Sequence, residues 1–92
     1  MTFYKVEFTK EALKQLKKMD KATAGLILGW IRKNLEGCEN PRIHGKGLTA
    51  NRNGQWRYRI GDYRIIAEIY DNKVLILVVN VGHRKDIYNA HQ

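Results

Sequence analysis

The sequence predicts an α+β fold in which a helical hairpin packs on one face of an antiparallel sheet. Near the amino terminus, a short alternating segment precedes two longer segments whose apolar residues recur at spacings of three and four. Three further alternating segments, joined by short turns, occupy the second half of the chain. The expected order is β-α-α-β-β-β followed by a short C-terminal helix, in a single domain that covers residues 1–92.

The first half of the chain is expected to form one strand and both helices. The residues from Tyr4 to Phe8 alternate between apolar and charged types, as in a half-buried strand. Thr9 is the expected N-cap of a helix from about Lys10 to Met19. Asp20 is the expected cap of a second helix from about Lys21 to Leu35. The residues expected to face the sheet are Ala12, Leu13, Leu16 and Met19 in the first helix and Ile27, Trp30, Ile31 and Leu35 in the second.

A predicted hairpin in the second half concentrates arginine on one face of the sheet. Gly61-Asp62 forms its two-residue turn, because glycine adopts the positive φ that a tight turn requires. This turn pairs Arg59 with Arg64 and puts Arg57 on the same face. Like charges directly opposite each other destabilise a sheet, so the cluster suggests a site for an anion. The alternative is a solvated basic strand face, and the residues alone leave both interpretations open.

Composition indicates a soluble globular protein with a basic surface. A content of 43% hydrophobic and 28% charged residues is not that of a disordered chain. The net charge of +8 and the pI near 9.8 favour a nucleic acid or an acidic protein as partner. Charge alone does not separate ribosomal proteins, small nucleases and DNA-binding proteins.

Several function classes are disfavoured by what the sequence lacks. Cys38 is the only cysteine, so neither an internal disulfide nor a thiolate metal site is expected. His44, His83 and His91 lack the close spacing of metal ligands, and we expect no metal and no cofactor. The longest apolar run, from Val74 to Val79, is too short to cross a bilayer, and the amino terminus does not resemble a signal peptide. We therefore expect a cytoplasmic protein without a membrane partner.

The segment from Glu36 to Gly54 predicts a long loop, because it is rich in glycine and asparagine. Isolated basic residues in a loop usually serve only solubility. Here they immediately precede the arginine-rich strand, so we expect them to contact RNA. These residues are Arg42, His44, Lys46 and Arg52.

The last predicted strand is expected to bring further basic residues to the arginine cluster. A two-residue turn at Asp71-Asn72 would pair Arg64 with Val79 in a strand that runs from Lys73 to Val81. Apolar residues on both faces of this strand indicate a central position. His83 and Arg84 would then emerge near Arg59 and Arg64, and Tyr88 would follow one short helical turn later.

The sequence from Trp56 to Arg64, WRYRIGDYR, followed by Val81-Gly-His-Arg84 and Tyr88, resembles the RelE branch of the RelE/ParE toxin superfamily. The resemblance extends over nearly the whole chain. It implies the toxin of a type II toxin–antitoxin pair, a ribosome-dependent endonuclease that cuts messenger RNA in the A site. The implied partners are the ribosome with its messenger RNA and a RelB-like antitoxin, which forms a hetero-oligomeric complex with the toxin.

The resemblance also assigns roles to individual residues. It implies basic active-site residues at Arg57, Arg59, Arg64 and Arg84, with a terminal aromatic at Tyr88. Of these we assign Arg57 to RNA binding, together with the loop residues Lys46 and Arg52. In the best-known member, lysines occupy the positions of Arg57 and Arg59, and one is the general base. Arginine cannot lose its proton in this way, so the identity of the base is open. His83 is a candidate, because histidine exchanges protons near neutral pH; the alternative is a hydrogen bond that holds the strand end. Tyr88 is either a base-stacking or phosphate-binding group or a plain packing aromatic.

Two other functions fit the same residues. A ParE-like toxin of the same fold would bind DNA gyrase, although a pure protein binder has no need of an arginine cluster. A basic RNA-binding module without catalysis would share the charge and the hairpin. Growth arrest on induction, together with a small acidic partner encoded next door, separates both toxins from the binding module.

Overall fold

Two helices pack against one face of a five-stranded mixed sheet in the computed structural model, which describes residues 2–47, 55–83 and 85. The helices are α1, Lys10–Lys18, and α2, Lys21–Asn34. A 3₁₀ turn at Asp71–Lys73 precedes the last strand. The strands are β1 Lys5–Phe8, β2 Gly45–Gly47, β3 Gln55–Ile60, β4 Tyr63–Tyr70 and β5 Leu75–His83.

Both predicted helix caps are confirmed. The Thr9 hydroxyl accepts a hydrogen bond from the backbone N–H of Ala12 at 3.2 Å. The Asp20 carboxylate accepts one from the backbone N–H of Thr23 at 3.1 Å. These bonds satisfy amide groups that have no partner inside the first turn of a helix. Each helix ends one residue earlier than predicted, with Met19 and Leu35 as C-caps.

The sheet differs from the predicted antiparallel arrangement at both edges. Its strand order is β1-β5-β4-β3-β2, and β1 runs parallel to β5 while all other pairs are antiparallel. The prediction failed here because the helical hairpin separates β1 from the meander, so no turn reveals its partner. The second difference is β2, a three-residue strand inside the predicted loop that pairs with β3.

The hydrophobic core lies between the helices and the sheet. Ile27 and Ile31 of α2 and Leu16 of α1 are buried there. Trp30 is half-buried against this core, as its position in the predicted apolar stripe requires, whereas Leu13 is 45% exposed and does not belong to the buried face. The sheet contributes Tyr58, Ile60, Ile65, Ala67, Ile69, Ile76, Val78 and Val81.

The pairing of β4 with β5 is shifted from the prediction. Arg64 lies opposite Gly82 and not opposite Val79. Four residues connect the two strands where two were predicted, and the last of them, Val74, adopts a left-handed conformation with φ of 53°. A bulge then adds one more residue to β5. The neighbouring residues Ala67 and Ile66 of β4 pair with Val78 and Asn80, so the residue between these two has no partner on β4.

The first helix holds this bulge in place. The side-chain Oε1 of Gln15 accepts a hydrogen bond from the backbone N–H of Val81 at 2.6 Å. The Nε2 of the same side chain donates to Oδ1 of Asn80 at 2.7 Å. A residue of α1 therefore stabilises the register in which β5 meets β4.

Some predicted features lie outside the described residues. They are Arg52, Arg84, Tyr88 and the C-terminal helix. Within the ranges that the structure describes, no helix is long and apolar enough to span a membrane.

Candidate functional site

Three arginines and a lysine share the sheet face that the helices leave open. Tyr58 and Ile65 point into the core, so the alternating positions Arg57 and Arg64 point to the opposite face. The predicted hairpin register is confirmed: Arg59 lies directly opposite Arg64. On the other side of β3, Arg57 lies directly opposite Lys46 of β2. Four neighbouring positions on three strands are therefore cationic.

Arg64 is the most buried of these cations, with 4% of its surface exposed. Its Nη1 donates to the backbone carbonyls of Gly61 at 3.5 Å and Tyr63 at 3.3 Å. Both distances are at the long end of the hydrogen-bond range. Among the described residues, no carboxylate forms an ion pair with Arg64 or Arg59. A buried charge without a counter-ion is costly, so this site is suited to an incoming anion.

The cationic residues line a cleft of about 380 Å³ that is open to solvent. It is large enough for a phosphate group with parts of the attached nucleotide. His44 lies in this lining, although it was expected only as one of several loop contacts. Ile43, at the rim, is 69% exposed. The described residues of the lining are Ile43, His44, Gly45, Lys46, Arg57, Arg59 and Arg64.

The connection between α2 and β3 reaches the cleft because it is fixed at two points. The buried Tyr58 hydroxyl donates to the carbonyl of Pro41 at 2.6 Å, and burial raises the pKa of this hydroxyl. Arg42 donates through both Nη atoms to the two carboxylate oxygens of Asp71, each at 3.0 Å. The hydroxyl of Tyr4 donates to the same carboxylate at 2.6 Å. Arg42, predicted as an RNA contact, is thus engaged in an ion pair, and its guanidinium lies over the ring of Trp56 at 5.9 Å from the centroid.

Glycine is required where β2 approaches β3. A Cβ atom on Gly45 would lie 2.3 Å from the carbonyl oxygen of Arg57, a distance that no side chain tolerates. A Cβ on Gly47 would lie 3.0 Å from the ring of Trp56. The two glycines let β2 pair closely with β3, and the intervening Lys46 then lies beside Arg57.

His83 does not face the cleft. It lies directly opposite Tyr63, and the two rings meet edge to face with centroids 5.5 Å apart. Tyr63 and Arg64 are adjacent on β4 and project to opposite faces. The expectation that the His83 side chain emerges beside Arg59 and Arg64 is therefore wrong, because the bulge in β5 reverses the faces of the residues that follow it. The Nδ1 atom of His83 accepts a hydrogen bond from the backbone N–H of Lys85 at 3.3 Å.

The fold and the cleft together define a small basic α+β domain that presents a cationic cleft opposite a helical hairpin. A family model described as the ParE toxin of type II toxin–antitoxin systems matches residues 6–88. The chain therefore belongs to this family, and it is a toxin of the RelE/ParE superfamily, as the motif resemblance indicated.

Individual relatives agree with this assignment. A RelE-like toxin protein of Escherichia coli is 32% identical over 89 residues, which cover 94% of this chain and 90% of the relative. Toxin RelG of Mycobacterium tuberculosis is 29% identical over 85 residues, covering 92% and 95% of the two chains.

Solved structures share the fold over nearly the whole chain. A chain of the RelBE2 toxin–antitoxin complex of Mycobacterium tuberculosis superposes with a TM-score of 0.78 at 28% identity, covering 91% of this chain and 94% of that one. The isolated RelE toxin of Escherichia coli superposes with a TM-score of 0.71 at 25% identity, covering 96% and 94%.

Proposed function

We propose that this toxin is an endoribonuclease that cuts messenger RNA in the ribosomal A site by attack of a ribose 2′-hydroxyl on the adjacent phosphate. The observation that carries the proposal is the environment of Arg64. Its guanidinium is almost fully buried, has no described carboxylate partner and lines a cleft with Arg57, Arg59 and Lys46. A phosphate in this cleft would supply the missing counter-ion.

The proposed chemistry depends on electrostatic stabilisation. Attack of the 2′-oxygen on phosphorus places additional negative charge on the equatorial phosphate oxygens. Arg59 and Arg64, on adjacent strands, are preorganised donors for that charge, and loss of one such donor typically costs about 2.7–4 kcal/mol in the barrier. In this proposal Lys46, Arg52 and Arg57 hold the flanking phosphates. Arg84 and Tyr88 are assigned to the reaction on the family resemblance.

We also propose an antitoxin as the physiological partner. The solved relatives include toxin–antitoxin complexes, such as RelBE2 of Mycobacterium tuberculosis and RelB–RelE of Methanococcus jannaschii. A net charge of +8 favours an acidic or mixed-charge, RelB-like antitoxin in a hetero-oligomer. The antitoxin would block toxicity by covering the cationic cleft or by moving its residues. A ribosomal target implies action in the cytoplasm.

The direct experiment is cleavage on programmed ribosomes. Purified protein is added to ribosomes with a defined codon in the A site, and primer extension maps any cut. The wild type should cut the A-site codon, while Arg64→Met should not. Lys17→Gln, an exposed change on α1, should cut like the wild type. A folded wild-type protein that leaves the message intact would contradict the proposal.

A second candidate function is inhibition of DNA gyrase. It is favoured by one specific observation: the matching family model is that of the ParE toxin. A gyrase supercoiling assay run beside the ribosome assay separates the two. Gyrase inhibition that persists in Arg64→Met, without any message cleavage, would favour this candidate. If neither activity nor growth arrest is seen, a non-catalytic RNA-binding role is left.

A further inference from the structure

We infer that His44 is the general base of this reaction, taking the proton from the attacking 2′-hydroxyl. The inference rests on the proposed function and assigns the one role that the arginines cannot fill. Among the described residues that line the cleft, His44 is the only one whose type exchanges protons readily near neutral pH.

The other described groups of the cleft are unsuited to this role. Arginine does not lose its proton in proteins, which excludes Arg57, Arg59 and Arg64. Lysine acts as a base chiefly where it is buried, and Lys46 is exposed, so we assign it to phosphate binding. The remaining lining residues, Ile43 and Gly45, carry no titratable group. His83 belongs to the opposite face of the sheet, where it packs against Tyr63.

His44 is held where the chain enters β2. Its ring packs edge to face against Trp30 of α2, with an interplanar angle of 82° and centroids 6.1 Å apart. Trp30 in turn packs against the buried ring of Tyr58 at 5.7 Å. His44 is therefore exposed to solvent, while its imidazole is supported by a side chain that packs against the core. Such support reduces the entropy cost of positioning a base.

The described charged residues that line the cleft with His44 are all positive. They are Lys46 on β2, Arg57 and Arg59 on β3, and Arg64 on β4, while the neighbouring α2 residue Trp30 is uncharged. No described carboxylate lines the cleft. A phosphate bound by these cations would bring the adjacent ribose to the wall formed by Ile43 and His44.

The step balances without an additional reactant. The neutral imidazole takes the proton as the 2′-oxygen forms a bond to phosphorus. The bond from phosphorus to the 5′-oxygen then breaks with its electron pair, and that oxygen takes a proton from water. The products are a 2′,3′-cyclic phosphate and a 5′-hydroxyl end. The imidazolium returns its proton to solvent before the next turnover.

The test is single-turnover cleavage of programmed ribosomes between about pH 5.5 and 8.5. We expect His44→Gln to slow cleavage by about 10²–10⁴-fold, the usual scale for general acid–base catalysis. The wild-type rate should rise with pH through the range in which histidine loses its proton, and this rise should be absent in the variant. Sedimentation with ribosomes should show unchanged binding, because a base contributes to the chemical step and not to association.

Two further variants make the result specific. His44→Ala should regain part of the rate when imidazole is added to the buffer, whereas a variant that has lost only packing would not respond. Lys17→Gln is the matched surface control and should keep the wild-type rate and pH profile. Thermal melting checks that each variant is folded; because His44 is exposed and loses only its edge contact with Trp30, we expect at most a small decrease in melting temperature.

The outcomes distinguish this inference from the proposed function. If the wild type cuts and His44→Gln cuts equally fast with the same pH profile, His44 is not the base and the proposed nuclease activity stands. Loss of the pH-dependent rise in His83→Gln and not in His44→Gln would overturn the assignment in favour of His83. If the folded wild type does not cut at all, the proposed function and this inference fail together.

Discussion

Arg59 and Arg64 lie directly opposite each other on β3 and β4, an arrangement in which two like charges on a sheet destabilise it. Arg64 is also 4% exposed, whereas Arg59 is exposed, so water solvates only one of the two charges well. Neither arginine has a carboxylate partner among the residues that the structure describes. A cluster that opposes folding in this way supports the proposal that the cleft binds a phosphate.

Replacement of Arg64 by methionine should separate function from stability. The substitution keeps a long apolar stem in the buried site and removes the charge. We expect cleavage to fall by at least about 10², because a preorganised donor to the phosphate is lost. The free energy of unfolding should stay constant or rise by about 1 kcal/mol, because a buried unpaired charge is removed. Urea unfolding and the ribosome assay measure the two effects, and a strongly destabilised Met variant would show that Arg64 is structural.

The ion pair of Arg42 with Asp71 should make stability depend on pH at the acidic end. Hydrogen bonds from Arg42, and secondly from Tyr4, lower the pKa of Asp71 below its ordinary value. A carboxylate with a depressed pKa in the folded state stabilises the fold above the unfolded value of about 4. This contribution is lost as the pH falls through the folded pKa. Both side chains are partly exposed, so Asp71→Asn should cost no more than about 1 kcal/mol at pH 7.

The melting temperature reports this effect directly. The difference between wild type and Asp71→Asn should be largest near neutral pH and should shrink below pH 4 or so. Asp62→Asn, in the exposed hairpin turn, is the matched control and should show a smaller gap at pH 7. A gap for Asp71→Asn that does not change with pH would contradict the assigned role of the ion pair.

Two glycine-to-alanine substitutions should change stability in opposite directions. Gly25 lies exposed within α2, and a Cβ there would meet nothing within 4 Å. Gly25→Ala should stabilise the protein by about 0.5–1 kcal/mol, because alanine favours the helix. Gly45→Ala should destabilise it by about 1–3 kcal/mol, since its Cβ would collide with the Arg57 carbonyl. Chemical denaturation measures both, and a neutral Gly45→Ala would mean that β2 does not depend on this close approach.

Gln15 should control the register of β5. Gln15→Ala leaves the backbone N–H of Val81 without its acceptor, which we expect to cost about 1–3 kcal/mol. Gln15→Glu keeps an acceptor for Val81 but loses the donor to Asn80, so its cost should be smaller. Amide hydrogen exchange at Val81 should accelerate most in the alanine variant. Unchanged protection of the Val81 amide in Gln15→Ala would show that the bulge does not depend on the hydrogen bonds of Gln15.

The helix caps and the hairpin were predictable because they depend on interactions within a few residues. Thr9 and Asp20 bond amides three positions away, and Gly61-Asp62 alone sets the pairing of Arg59 with Arg64. Alternation along β3 then assigns the arginines to one face. Local chemistry therefore determined the helical hairpin, the β3–β4 pair and the cationic face of the sheet.

Only the tertiary structure decided the pairing of β1, the face of His83 and the arrival of His44 at the cleft. The hydrogen bond from Val81 to Gln15 joins residues 66 positions apart, and the ion pair of Arg42 with Asp71 joins residues 29 apart. Alternation does not reveal a bulge, although a single added residue moves every later side chain to the other face. The arginine pair of β3 and β4 was thus encoded locally, whereas the pairing of β2 with β3, which brings Lys46 and His44 to the cleft, was decided by the tertiary structure.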